Sequence, residues 1–204
     1  MATSVLTLAK LPDDVIVMVL QYLPVEYVLA CRLVCKRLCD LAFHWDVWRH
    51  RSLKDDDYYA GAVLHLAPCL DTLTVTGLVP TLAVTTTSCA VASLELLLDY
   101  ASATTAVEYA LALRNQESLG RLRKLYLDGL EYYSTPGKDV LVRTVAKCSN
   151  LESLEVNGDL PLVSHPVVNG PPKPSLTNFR CAVNENSASF VNTILAAHAA
   201  TLEH

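Results

Sequence analysis

The stretch LPDDVIVMVLQYLP, residues 11–24, decides how the N-terminal part of the chain is read. In its run from Val15 to Leu23, Gln21 alone is neither aliphatic nor aromatic. A surface helix shows one apolar stripe and one wet face, and this one has no wet face. Pro12 suits an opening helical turn, and Asp13 and Asp14 complement its positive end. Tyr22 and Leu23 close the helix, because the residue before Pro24 is pushed out of helical geometry.

Two more helices follow. One is predicted over residues 25–42, VEYVLACRLVCKRLCDLA, with Lys36 and Arg37 towards its negative end. A brief third holds Trp45 and Trp48, three apart on one side, in HWDVWRHRSL. The segment KDDDYYAG then reads as a solvated joint. A unit of this size buries little surface alone. Packing of its helices covers Val15 or Val19 from one direction and is expected to leave Ile16, Met18 and Leu20 open on the other. An apolar face of that extent points to a protein partner.

The chain has 204 residues, half of them apolar, with a net charge of −5. That composition supports a real core and gives nucleic-acid binding little electrostatic support. The first ten residues lack the basic start of a signal peptide. No window reaches the length of a membrane span, since the low-charge stretch 72–93 is broken by Gly77 and Pro80. Seven widely spread cysteines, an odd number, favour reduced thiols. The expectation is an intracellular protein, cytoplasmic or nuclear, with neither nucleic-acid nor membrane partners.

Beyond residue 60, segments of the form L-x-x-L-x-L recur, the strand signature of leucine-rich repeats. They are Leu70-Leu73-Val75, Val91-Leu94-Leu96, Leu122-Leu125-Leu127, Leu151-Leu154-Val156 and Leu176-Phe179-Cys181. Successive starts lie 21, 31, 29 and 25 residues apart, and Leu202, 26 further on, reads as another strand start. Helix-like patterns, AVEYALALRNQESL, KDVLVRTVAKC and ASFVNTILAAHAATL, sit between them. The Asn or Cys of the repeat stands only at Asn184; Asp99, Asp159, Leu78 and Leu130 hold that place elsewhere. LPLVSHPVVNGPPKPS reads as a loop. Halting at TLEH, the chain reads as a truncated or short member of such an array, with an uncapped, aggregation-prone last unit.

Residues 11–53 closely resemble an F-box. The resemblance is carried by Leu11-Pro12, Val15-Ile16, Val19-Leu20, Leu23-Pro24, Val34-Cys35-Lys36-Arg37 and Trp48-Arg49. Leu38 departs from it, standing where an aromatic usually follows the basic pair. With the repeats, the whole resembles the F-box/leucine-rich-repeat family. That implies an α/β architecture: a tail over 1–10, a three-helix F-box over 11–53, a linker over 54–63, and a degenerate, truncated solenoid over 64–204. It also implies a non-catalytic substrate receptor of a cullin–RING ubiquitin ligase. Leu11, Pro12, Val15, Ile16, Leu20, Leu23, Pro24, Val34 and Trp48 would then contact a Skp-type adaptor, and through it a cullin, or support those contacts.

In such a solenoid the strand leucines face the core and alternate residues face outward. The outward set is Thr72, Thr74, Thr76, Ser93, Glu95, Lys124, Tyr126, Asp128, Ser153, Glu155, Asn157, Asn178 and Arg180. Lys124, Tyr126, Asp128, Glu155, Asn157 and Arg180 are the candidates for holding a protein target, whose identity the sequence does not give. A repeat scaffold without ligase engagement is the alternative.

Catalytic and metal chemistry finds little to stand on. Cys31, Cys35 and Cys39 are spaced to share one helical stripe, which reads as packing rather than a zinc site. His44 and His50 read as surface residues. Cys148 falls where the repeat family commonly buries a cysteine, so a thiol enzyme is a remote reading. No nucleophile elbow, phosphate loop or dinucleotide fingerprint occurs. Thr135-Pro136 and PPKP read as a turn and a loop rather than a phosphorylation site and a polyproline ligand. No cofactor or metal is expected.

Overall fold

A computed structural model describes residues 10–76, 81–98, 103–130, 136–158, 160, 167, 170, 173–185 and 187–202. Nine helices and six strands occur among them. They are α1 (Asp13–Tyr22), α2 (Val25–Cys31), α3 (Lys36–Ala42), α4 (Trp45–Trp48), β1 (Ser52–Lys54), α5 (Ala60–Leu66), β2 (Cys69–Val75), α6 (Thr81–Thr85), β3 (Ala90–Leu97), α7 (Ala103–Leu119), β4 (Lys124–Asp128), α8 (Pro136–Val145), β5 (Ser153–Val156), β6 (Asn178–Cys181) and α9 (Ala188–His198). The tail over residues 1–9, Leu78, Asp99, Thr135, Asp159 and most of the proline-rich segment lie outside the described residues.

The strands form one sheet in chain order, β1-β2-β3-β4-β5-β6, every neighbouring pair parallel. Period-two alternation explains the layering. Leu53, Leu73, Leu94, Leu125, Leu154 and Phe179 are successive Cα partners and make one row across the sheet. Val75, Leu96, Leu127, Val156 and Cys181 make the next. The leucines and valines of both rows are buried, while Phe179 and Cys181 at the edge are half-covered. Each buried leucine contributes about 1.5–3 kcal/mol of hydrophobic stabilisation.

Connecting segments are tied to strands by side chains standing in for backbone. Gln116, fully buried on α7, accepts from Val91 N at 3.0 Å and donates to Cys89 O at 3.1 Å. Where α7 ends, Gly120 adopts φ 76°, a left-handed conformation that favours glycine. Asn184, in the repeat's expected place, accepts from Ser187 N through Oδ1 at 2.9 Å. His198 is buried, and its Nδ1 accepts from Ser175 N and Leu176 N at 3.0 and 3.1 Å.

Three expectations are corrected. The helix expected over 25–42 is two helices: Leu33 N and Val34 N bond back to Ala30 O and Cys31 O, and Cys35 is fully extended. An unbroken helix of that span would run about 27 Å; the break folds Leu38 and Leu41 back into the core beside Val28 and Leu29. Cys31, Cys35 and Cys39 therefore share no helical stripe, and Lys36 and Arg37 open a helix instead of closing one. No cluster of metal-ligating side chains occurs among the described residues.

The expected linker over 54–63 is also integral to the fold. Leu53 joins the leucine row, Asp55 N donates to Thr74 O at 3.0 Å, and Asp55, Ala60 and Val63 are buried. Leu202 N–H bonds His198 O at 3.1 Å, and the strand expected to follow Leu202 falls outside the described residues. Finally, the tryptophans differ in environment: Trp48 is wholly buried, whereas Trp45 is 44% exposed.

Candidate functional site

The two ends of α1 are pinned by arginines from later in the chain. At its N-terminus, Arg37 Nε donates to Asp13 Oδ1 at 2.7 Å, and Arg37 Nη2 also reaches Leu11 O. At its C-terminus, Arg51 Nη2 donates to Leu20 O at 2.8 Å, Gln21 O at 3.2 Å and Leu23 O at 2.8 Å. Leu20 O also takes the cap N–H of Leu23 at 3.3 Å, and these last carbonyls carry the negative end of the helix dipole, which a guanidinium complements. Burial lowers the pKa of Arg51. Beneath, Trp48 Nε1 donates to Ala42 O at 2.7 Å, and the Arg51 guanidinium lies 5.4 Å from the Trp48 ring.

With its ends held, α1 has a defined inside and outside. Ile16, Val17 and Leu20 face the core. Val15, Met18, Val19 and Tyr22 face solvent, at 39, 58, 52 and 85% exposure. Their spacing, i, i+3, i+4, i+7, lays a continuous apolar stripe along the outer surface. Tyr27 on α2 and Leu33 and Val34 in the following turn are exposed too. Single exposed apolar residues are ordinary, but a whole helical stripe is not.

This reverses the expected sides of the helix. Ile16 and Leu20, expected to be open, are covered because α3 and α4 both pack on α1. Met18 alone of that set is open. Of the nine residues carried from the F-box resemblance, Pro12, Val15, Pro24 and Val34 are exposed, and Leu11 and Leu23 are half-buried. Ile16, Leu20 and Trp48 lie in the core, where they hold the outer face in place without presenting a surface. Val19 was in the motif but not in that set, and Tyr22 was in neither; their helical spacing with Val15 was the signal.

A second face is formed by alternate strand residues. Ser52, Thr72, Ser93, Lys124, Ser153 and Asn178 make one row, and Lys54, Thr74, Glu95, Tyr126, Glu155 and Arg180 the next. Thr74 Oγ1 donates to Glu95 Oε2 at 2.8 Å, and Arg180 Nη1 meets Glu155 Oε1 at 3.2 Å. Asp128 accepts from Tyr126 Oη at 3.3 Å and from Asn157 Nδ2 at 3.1 Å. All six candidates for target contact therefore stand on one face, with Glu95 beside them.

The two faces belong to one framework. Arg121 Nη1 donates to Leu70 O at 2.6 Å and Ala90 O at 3.3 Å, while its Nη2 donates to Arg49 O at 3.2 Å. Arg51 O accepts from Asp71 N at 2.8 Å. Neither arginine was singled out in the sequence, because their partners are backbone carbonyls distant along the chain.

The three buried thiols, Cys69, Cys89 and Cys148, offer little nucleophilic character. Burial raises the pKa of Cys69 and of Cys148 and pushes Cys89 up to about 12. His44 is exposed, and its Nδ1 accepts from Asp46 N at 3.3 Å as a helix cap. Among the described residues no helix is long and apolar enough to cross a membrane.

A protein-family model described as F-box-like matches residues 8–54. The match spans α1 to α4 and runs through β1, so it includes the first strand of the sheet. No curated protein matches the chain.

Proposed function

We propose that this chain, through its F-box-like domain, is the substrate-recognition subunit of a cullin–RING ubiquitin ligase. The outer stripe of α1 docks a Skp-type adaptor, and through it a cullin. The outer face of the sheet, read as degenerate leucine-rich repeats, holds a target protein. The chain works by holding rather than by chemistry: a target bound beside the ligase sees a raised effective concentration of charged ubiquitin carrier. Such a role fits a cytoplasmic or nuclear protein.

The observation that carries this reading is the solvent-facing stripe Val15, Met18, Val19 and Tyr22 within the F-box-like residues. A helix-in-groove contact uses this spacing. The raised pKa values of Cys69, Cys89 and Cys148 weigh against thiol chemistry at those three positions. Co-purification of the full chain with a Skp-type adaptor and cullin tests the proposal. Retention of both supports it; loss of both under mild conditions favours a scaffold without ligase engagement.

A further inference from the structure

The centre of the sheet's polar face carries a grouping that points to a class of partner. Tyr126 is the Cα partner of Glu95 on one side and of Glu155 on the other. Neighbouring strands lie about 4.8 Å apart, so the two carboxylates flank the tyrosine. Asp128 stands two residues further along β4 and accepts the Tyr126 hydroxyl at 3.3 Å. The tyrosine is half-buried and tethered, a preformed aromatic platform among three carboxylates. Its hydroxyl pKa is raised, by desolvation first and then by Asp128, with Glu155 adding to it, so negative potential converges on this position.

The nearby cations do not close the site. Lys124 lies one row towards the strand N-termini and is exposed, and Lys54 stands at the far end of the row. Arg180 pairs with Glu155, but their side chains are 79% and 42% exposed. An ion pair that open to water contributes little and exchanges readily for another.

We propose that this face binds an extended basic segment of a protein, a Lys or Arg head group entering between Glu95 and Glu155 over Tyr126. A tyrosine ring attracts a cation and a carboxylate grips a guanidinium, whereas an acidic segment would meet three carboxylates. This names the class of target for the receptor reading, and it rests on that reading only for what binding achieves.

The test is fluorescence anisotropy of the full chain with a labelled octapeptide of alternating lysine and serine, at low salt. The lysine-acetylated and the glutamate–serine peptides serve as comparisons. Binding of the lysine peptide alone is expected. The double variant Glu95→Gln/Glu155→Gln weakens it about tenfold, a loss of ~1.4 kcal/mol. Arg180→Ala, which frees Glu155, strengthens it. Glu185→Gln, removal of a single carboxylate on an exposed loop, leaves it unchanged. Equal weakening by Glu185→Gln, equal binding of the acetylated peptide, or no binding overturns the proposal. Adaptor capture by the native chain separates the two readings. Absence of peptide binding in a chain that captures the adaptor sinks only this inference, and peptide binding by a chain that captures no adaptor sinks only the ligase role.

Discussion

The Arg121 guanidinium lies 4.5 Å from the centre of the Trp45 ring, joining the strand-preceding loop of β4 to the helix α4. The same side chain bonds carbonyls of Leu70, Ala90 and Arg49. One residue thereby couples the F-box-like helices to two strands of the sheet. An adaptor held by α1 and a target held by the sheet would then keep a fixed separation.

Removing that residue should uncouple the two parts. Arg121→Ala forfeits a partly exposed cation–π contact and several charged hydrogen bonds, a loss of about 2 kcal/mol. Arg121→Lys should not rescue it, because an ammonium cannot span the same carbonyls while stacking on the ring. Thermal unfolding followed by circular dichroism should shift downward for both variants. Unchanged midpoints would show the coupling to be incidental.

The two sides of α1 should respond oppositely to charge. Leu20 is 2% exposed, so Leu20→Asp buries an unpaired carboxylate and should destabilise the helices by about 3–5 kcal/mol. Met18→Asp and Val19→Asp, on the outer stripe, should cost about 0.5 kcal/mol or less. Urea unfolding of the three variants checks this ordering. Equal destabilisation would place Met18 and Val19 in the core.

These contrasts mark what the sequence disclosed. Five strands were legible because their leucines alternate with polar residues, a pattern that only a half-buried strand requires. Strand β1 was not, since Ser52-Leu53-Lys54 offers a single apolar residue. The break between α2 and α3 has no glycine or proline to announce it, and LVCKRLC reads as continuous helix. In α1 every face is apolar, so periodicity could show that some surface was surplus but not which. That choice follows from α3 and α4 packing on α1, with Arg37 and Arg51 gripping its ends from 24 to 31 residues away.

Gln116 should be indispensable to the sheet. Gln116→Met keeps the volume but leaves Val91 N and Cys89 O buried without partners, at about 1–3 kcal/mol each. Hydrogen exchange of the Val91 amide should accelerate well beyond that of amides in β5. Unchanged protection would show that another group takes over the bonds.

The last helix should loosen in acid. Burial lowers the pKa of His198 from its ordinary value of 6.5, and its Nδ1 is held as an acceptor. Near pH 6.5 the unfolded chain therefore binds more protons than the folded one, so stability rises with pH there. The contribution is full above that value, falls as pH drops towards the folded-state pKa, and is flat below it. Comparing urea midpoints at pH 7.5 and about 5.5 in the native chain and in His198→Asn, which keeps an acceptor but does not titrate, isolates the effect. An equal pH response in both chains would assign it elsewhere.

The most direct measurement is calorimetric titration of a purified Skp-type adaptor into the full chain and into the folded Met18→Asp/Val19→Asp variant. Saturable binding to the native chain, lost in the variant while its circular dichroism is unchanged, is the predicted result. No binding to the native chain, or equal binding to both, would contradict the assignment of the outer α1 stripe as the docking surface.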